Sequence, residues 1–507
     1  MKAAWWSGEN SRKIKFRIVV EGELVLETPA HFSNGDTDEL VDMPLLVDPF
    51  DGQTPLLSGA SLAGALRSYL REREEGYGKA NALSAPGSSV NLLFGGQRKK
   101  AFEESTGSNE EGEQSCLIID DALGKNFGIE YRCGVAIDPV SRTAQAKKLF
   151  DYQLWEAGTV FPLRFELVIP AGADAERLKK ALATALEGFN DGSITLGARK
   201  RRGFGRISVK GWRVKTFDLT TTKGLLDWIE NGGKPLAEQG VEEFADIKEA
   251  LKVKETIADQ RCFFRLEAAF SLDGSLLVRS GGGEDDFGPD MVHIASRRAG
   301  RGVVPVLPGT SLGGALRGRA LKIVNTLSGG LCGKEMINNL FGPEMEDKKQ
   351  PQASRIVVSE SVIEGGKTDL VQSRVAIDRF TGGALETALY NDQPVFGGED
   401  TLLKVTLFLR DPKDYEIGLL LLLLKDLWTG DLPLGGEVGI GRGRLKGKAA
   451  TLEFNRPEGE SWSLRIEPEG DVLKVEPELS SKLESYVKYL SGELKKHLEE
   501  GRNEARD

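Results

Sequence analysis

Three histidines and four cysteines in 507 residues leave little material for imidazole or thiolate chemistry. The cysteines (Cys116, Cys133, Cys262 and Cys332) are widely spaced and form no CxxC pair. That argues against structural zinc and a disulfide framework, and it fits a reducing cytoplasm. Long hydrophobic runs are missing too. The longest aliphatic stretch, Leu419 to Leu424, is far short of the roughly 20 residues a bilayer requires. Residues 1–15 are polar and lack an apolar centre, so neither a secretory leader nor a membrane span is expected. Net positive charge is also absent: the chain carries −10, which on its face opposes nucleic acid. Phosphates respond, however, to cations within about a Debye length, roughly 8 Å at physiological salt. Local clustering therefore decides.

Glycine is in excess. The chain has 61 glycines, well above the usual share of roughly 7%, and many fall in a few clusters. The length favours two or more domains, and an internal comparison finds them. The segment Gly59-Ala60-Ser61-Leu62-Ala63-Gly64-Ala65-Leu66-Arg67 returns 250 residues later as Gly309-Thr310-Ser311-Leu312-Gly313-Gly314-Ala315-Leu316-Arg317. Asn91-Leu92-Leu93-Phe94-Gly95 returns, one residue shorter, as Asn339-Leu340-Phe341-Gly342. Val135-Ala136-Ile137-Asp138 returns as Val375-Ala376-Ile377-Asp378, and Leu196-Gly197 as Leu434-Gly435. Four matches in one order, at slowly drifting offsets, describe two homologous domains that differ by loop insertions. The boundaries read as a first domain over residues 1–219, a partly helical linker over 220–260, a second domain over 261–474 and a charged tail over 475–507. In the tail Leu483, Val487, Leu490, Leu494 and Leu498 recur at helical spacing, which predicts an amphipathic helix packed on its own domain or on a partner.

Each copy opens with a strand, at residues 13–28 and 262–271. Ser61 or Ser311 then stands where a helix starts, a favoured capping residue. Phe161, Leu163, Phe165 and Leu167 alternate, as do Leu403, Val405, Leu407 and Leu409, so both runs predict strands. Helices over 174–188 and 415–428 and a closing strand complete the unit. The order strand, helix, strands, helix, strand predicts an α+β chain of two tandem ferredoxin-like domains, similar in layout to RRM domains. Sheets of this kind commonly offer a face to single-stranded RNA.

One loop carries the strongest functional signal. Arg199, Lys200, Arg201, Arg202 and Arg206 lie within eleven positions, separated by glycines. Glycine lets a backbone approach closely and aim several N–H groups at one anion, and the side chains add forked donors for phosphate. The plain alternative is a solvated basic turn. The second copy keeps the glycines but has fewer cations, Arg442 and Arg444, together with the acidic Glu437. The paired helix starts at Ser61 and Ser311 offer free N–H groups to phosphate, with Arg67 and Arg317 further along; tight packing at Gly64 and Gly314 is the alternative.

Taken together, the glycine-serine helix start, the Ile-Asp-Pro/Arg segment (Ile137-Asp138-Pro139 and Ile377-Asp378-Arg379) and the Gly-Arg-rich loop before the last strand resemble the RAMP superfamily of CRISPR proteins. The nearest resemblance is to the backbone subunit of type III effector complexes, and a chain with two such units looks like the double-backbone fusions of III-D-like systems. The resemblance implies two RAMP domains with inserted thumb hairpins, near residues 132–161 and 374–398. It also implies guide RNA, target RNA, further backbone subunits and a large signalling subunit as partners. In catalytic members of that family, an aspartate on a loop before the glycine-serine helix cuts the target beside a base that the thumb displaces. Asp42 aligns in copy one and Asp290 in copy two, where Asp285 and Asp286 are rivals because the loop is longer and lacks the proline. The same two aspartates are the implied anchors of a divalent cofactor, Mg2+ or Mn2+.

The chemistry is coherent on general grounds. RNA carries its own nucleophile, the 2′-hydroxyl, and a regular helix holds it out of line with the leaving oxygen. Displacing a base bends the backbone and can bring the two into line. An aspartate with an ordinary pKa of about 3.9 is charged at neutral pH and suits a metal anchor better than a general base. Three other readings stay open: a scaffold in which one or both copies coat guide RNA without cutting, a metal-independent guide-processing nuclease around His31 or His293, and a small-molecule enzyme. For the last there is no cofactor motif. The second weakens because His31 has no counterpart in copy two, where Val278 or Arg279 stands at that place.

Overall fold

The computed structural model describes residues 13–33, 35, 44–78, 87–96, 114–138, 141, 143–280, 288–330, 333–343, 352–469, 472–474 and 477–504. In the first half, strand β1 (Ile14–Leu26) leads to helix α1 (Gly59–Glu75), strand β2 (Leu117–Ile119) and a hairpin of β3 (Ile129–Ile137) and β4 (Ala144–Trp155). Strand β5 (Val160–Pro170), helix α2 (Ala175–Glu187) and strand β6 (Ile207–Asp218) follow. The core strands lie in the order β2-β5-β1-β6, all antiparallel, with Val20 paired to Phe165 on one side and Val214 on the other. Counting core strands alone, that is the 4-1-3-2 order of a ferredoxin-like sheet. The alternation seen in sequence explains it: Phe161, Leu163, Phe165 and Leu167 all face inward onto the helices and are buried.

The second half repeats the plan with β7 (Phe263–Asp273), α3 (Gly309–Ser328), β8 (Ile356–Val358), the hairpin β9 (Gln372–Ile377) and β10 (Ala384–Gln393), then β11 (Leu402–Arg410), α4 (Asp414–Trp428) and β12 (Arg444–Asn455). Its core order β8-β11-β7-β12 is the same. Both hairpins are insertions between the second and third core strands. Both stand in solvent, with Tyr131, Val135 and Ile137 exposed on one and Val375, Ile377 and Leu389 on the other.

The linker is not free chain. Glu243–Phe244 adds a short strand to the first sheet beside Trp212 and Arg213, and Trp228 packs edge-on against Phe217. The tail forms helix α5 (Pro477–Glu504), which buries Tyr486, Leu490 and Leu494 against α4. This explains the run Leu419 to Leu424: α4 lies between its sheet and α5, and Gly418 lets the backbone of Tyr486 come into contact. No helix among the described residues is long and apolar enough to cross a membrane.

Candidate nucleic-acid interface

The two glycine loops have one backbone. Each is a single tight turn, Lys200–Arg202 or Val438–Ile440, entered through a left-handed residue (Arg199, φ 52°; Glu437, φ 57°) and left through a glycine (Gly203, φ 93°; Gly441, φ 92°). Each is held from below by matching hydrogen bonds. Ala198 donates to the His31 carbonyl at 2.9 Å, and Gly436 donates to that of Leu277 at 2.7 Å. The residue that corresponds to His31 is therefore Leu277, not Val278 or Arg279.

The side chains differ. In the first half, Arg199 lies over the rings of Phe150 and Tyr152, at 4.3 and 4.6 Å, and Phe204 fills the space beneath. In the second half, Arg442 takes the place of Phe204 and is buried. It donates to Asp392 at 2.8 Å and to Gln372 at 2.7 Å, and pairs with Glu437 at 2.8 Å. Arg374 completes the cluster at 2.9 Å from Asp392. An aromatic stack thus joins loop to hairpin in one copy, and an ion cluster does so in the other.

The strongest motif of the sequence has a partner inside the chain. Arg201 donates to the Ser354 carbonyl, and Arg202 donates to that of Phe341 at 3.4 Å. The Arg202 guanidinium lies against Gly313, where a methyl group would stand only 3.0 Å from its Nη1, and the Arg202 backbone meets Gly309 at the start of α3. Burial and Arg410 pull Arg201 down to about 10; burial and Arg317 lower Arg202. Gly203 packs its backbone on Glu360, an approach that only glycine at this φ allows. The loop of the first half is thus set into the second. Lys200, Arg206 and, in the matching loop, Arg444 are exposed. Arg206 and Arg444 occupy corresponding positions.

The helix starts are occupied by protein groups. Ser58 caps α1 and accepts the Ser61 N–H at 3.2 Å, while Asp121 accepts the Gly59 N–H at 2.7 Å. At α3, beside Ser311, the copy-one loop fills this place. Arg67 and Arg317 brace their own domains, donating to the carbonyls of Gly95 at 3.0 Å and Gly342 at 2.5 Å.

Of the acids, Asp290 is exposed, and its carboxylate accepts the Asn391 N–H at 2.7 Å. The two residues after it, Met291 and Val292, pair in parallel with Asp392 and Gln393 at the foot of the hairpin. The acid is thereby fixed to strand β10 of the hairpin. Asp42, Asp285 and Asp286 lie outside the described residues. Among the described residues no group of three or more His, Cys, Asp or Glu side chains converges on a metal position. Asp290 fits a different kind of site, since Mg2+ is commonly held by one or two carboxylates plus substrate phosphates. His293 is a structural residue. Its Nδ1 accepts the Val278 N–H at 3.1 Å, Nε2 donates to Val306 O at 3.0 Å, and burial drives its pKa down to about 4. His31 is buried, with Nδ1 2.8 Å from the Gln153 carbonyl.

The fold defines a class: two ferredoxin-like domains in tandem, each with a hairpin and a glycine loop on matched backbones. A comparison with protein families matches residues 23–208 and 276–446 to the RAMP superfamily, and the chain belongs to that superfamily, carrying two tandem RAMP regions. Membership makes it a CRISPR-associated RNA-binding protein, of a kind that works in RNA–protein complexes. A comparison with curated proteins gives no match.

Proposed function

We propose that this chain is the double backbone subunit of a type III, III-D-like, CRISPR effector in the cytoplasm, and that it cuts target RNA paired to its guide. The observation that carries the reading is the bond from the Asn391 N–H to Asp290, which joins an exposed acid to the foot of a thumb-like hairpin. A hairpin that displaces a base and an acid fixed to that hairpin act on the same phosphate. Attack of the 2′-oxygen on the adjacent phosphorus breaks the bond to the 5′-oxygen and leaves a cyclic phosphate and a 5′-hydroxyl. A divalent ion on Asp290 would offset charge on that phosphate. Asp42 has the same role in the first half, with Arg206 and Arg444 on the guide backbone. The partners are guide RNA, target RNA, further backbone subunits and a large signalling subunit.

A scaffold without cutting is the second reading, favoured by the finding that among the described residues no group of three or more His, Cys, Asp or Glu side chains converges on a metal position. Cleavage by the assembled complex, with and without chelator, separates the two. Chelator-sensitive products with 5′-hydroxyl ends support cutting, and retention of intact target with magnesium supplied supports the scaffold. Guide processing around His293 is opposed by its burial and its neutral state at pH 7.

A further inference from the structure

Arg442, which the sequence sets among the phosphate contacts of its loop, is turned into the protein, and the chain of bonds it begins ends at Asp290. Asp392, 0% exposed, accepts its guanidinium at 2.8 Å. Gln372, across the hairpin from Asp392, accepts from Arg442 at 2.7 Å and from Arg374 at 3.0 Å. Glu437 pairs with Arg442 from the entry of the loop, at 2.8 Å. The neighbour of Asp392 along the strand is Asn391, whose N–H is bonded to Asp290. On the side of the acid, Met291 and Val292 run parallel to Asp392 and Gln393, and the His293 N–H donates to Gln393 O at 2.9 Å. Every bond named here lies within the second half. The link is therefore independent of the seam, the contact through which the loop of the first half is set into the second.

The hairpin needs such a tie. Beyond its foot it stands in solvent, with Val375, Ile377 and Leu389 exposed, so an acid bonded to β10 is placed only as well as the foot is placed. The Asp392 carboxylate lies between two guanidinium groups, Arg442 at 2.8 Å and Arg374 at 2.9 Å. Charge-assisted hydrogen bonds are short and directional, and a buried pair cannot slide without stranding a charge away from water. The first half makes the same joint without ions. Tyr152 lies across from Arg132 as Asp392 lies across from Gln372, so Tyr152 and Phe150 correspond to Asp392 and Tyr390. Arg199 lies over both rings, and Phe204 meets Tyr152 edge-on. Gly134, at the place of Arg374, makes room for the Phe150 ring, which a methyl group there would strike.

We infer that Asp392 and Arg442 are positioning residues for the acid of the second half, their buried pair tying the glycine loop to the strand that holds Asp290. This rests on the reading of Asp290 as the acid that acts on target RNA, and it adds how that acid is registered against the guide. Two residues past Arg442, Arg444 is exposed on the same loop. A guide phosphate on Arg444 and the acid at Asp290 are thus joined through Arg442, Asp392 and Asn391. Asp392 and Arg442 are buried and do not touch the reacting atoms; they act through the backbone of Asn391. Partners of that kind, one step behind a metal-holding carboxylate, contribute about tenfold to a hundredfold in activity, in line with the loss of about a hundredfold that a misplacement near 1 Å brings.

Two measurements test this, the first on the full chain without RNA. Asp392→Asn keeps the shape of the side chain and removes its charge. Amide exchange at Asn391 should then quicken about tenfold or more, the factor that one charge-assisted hydrogen bond sets. Exchange at the foot of the first hairpin, Tyr152 to Trp155, should hold, which shows that the chain is folded. Arg442→Lys keeps the charge but loses the fork, and should quicken exchange less. In the assembled complex, single-turnover cleavage by Asp392→Asn at saturating target should slow about tenfold to a hundredfold at the second-half site, with target affinity and the first-half band unchanged. Transplanting the joint of the first half, as Arg374→Gly, Tyr390→Phe, Asp392→Tyr, Glu437→Arg and Arg442→Phe together, should restore both readouts. Unchanged exchange at Asn391 in a folded Asp392→Asn chain overturns the tie itself. Quickened exchange with an undiminished second-half band, where Asp290→Ala abolishes that band, overturns positioning and leaves the cutting reading standing. A band that survives Asp290→Ala refutes the cutting reading, and the positioning role falls with it. Loss of target binding together with the band would make the pair a brace of the hairpin and nothing more. A transplant that restores exchange but not cleavage would likewise overturn a purely positioning role.

Discussion

Arg132 donates two hydrogen bonds to Glu360 across the seam, at 2.6 and 3.1 Å, with both side chains almost wholly out of water. Arg298 donates to the same carboxylate from the other side. Burial alone would raise the pKa of Glu360; the two guanidinium groups outweigh it and hold the carboxyl below its usual range. Replacing Glu360 with alanine leaves the buried Arg298 without a carboxylate partner and Arg132 with Glu130 alone, and should cost about 3 kcal/mol. Because the folded pKa is depressed, the contribution is present above the ordinary glutamate range of about 4.3 and is lost as pH falls through the folded value. Denaturant unfolding of wild type and Glu360→Ala from neutral to acid pH checks this: the gap between them should close on the acid side.

RNA contact and seam contact are separable among the loop cations. Arg206→Ala and Arg444→Ala should each lower the salt slope of guide binding by about one unit while leaving the fold intact. Arg202→Ala should lower stability and leave the slope unchanged, because its guanidinium sits against Gly313 and Phe341. Binding isotherms at several salt concentrations, run beside thermal unfolding, read both.

His293 predicts an acid sensitivity of its own. It is neutral when folded, with a pKa of about 4, and takes a proton near 6.5 when unfolded. Stability from this group is therefore complete above about 6.5 and is lost as pH falls toward 4, by about 1.4 kcal/mol per pH unit at the steepest. His293→Gln should be less stable than wild type at neutral pH and show a flatter decline over that window.

In the assembled complex, Asp42→Ala and Asp290→Ala should each remove one product band, with target binding retained, since a group that acts only in the transition state affects turnover and not ground-state affinity. If Asp290→Ala leaves every band while Asp285→Ala or Asp286→Ala removes one, the acid of the second half is misassigned. If no acid of that loop matters, the second half is a scaffold.

The strand order was legible because each domain occurs twice, and the alternation at Phe161 to Leu167 needs no tertiary information. The destiny of Arg201 and Arg202 was not legible. A glycine loop studded with arginine looks the same whether its acceptors are phosphates or carbonyls, and here the carbonyls belong to Phe341 and Ser354, some 140 to 150 residues away. Arg442 was hidden likewise: its counter-charge, Asp392, sits on the hairpin strand 50 residues earlier. The bond between Asp290 and Asn391 spans 101 residues, so only the resemblance pointed to that acid.

In a row of identical subunits, plug and socket are encoded by one gene copy, and each substitution alters every joint at once. Here the joint between Arg202 and Gly313 is written at two places in one chain and occurs once per molecule. A change at Phe204 therefore need not appear at Arg442, nor one at Tyr152 at Asp392, and the pair is aromatic in the first half and ionic in the second. Two copies within one chain free this joint from symmetry, so that plug and socket can each change without the other half following.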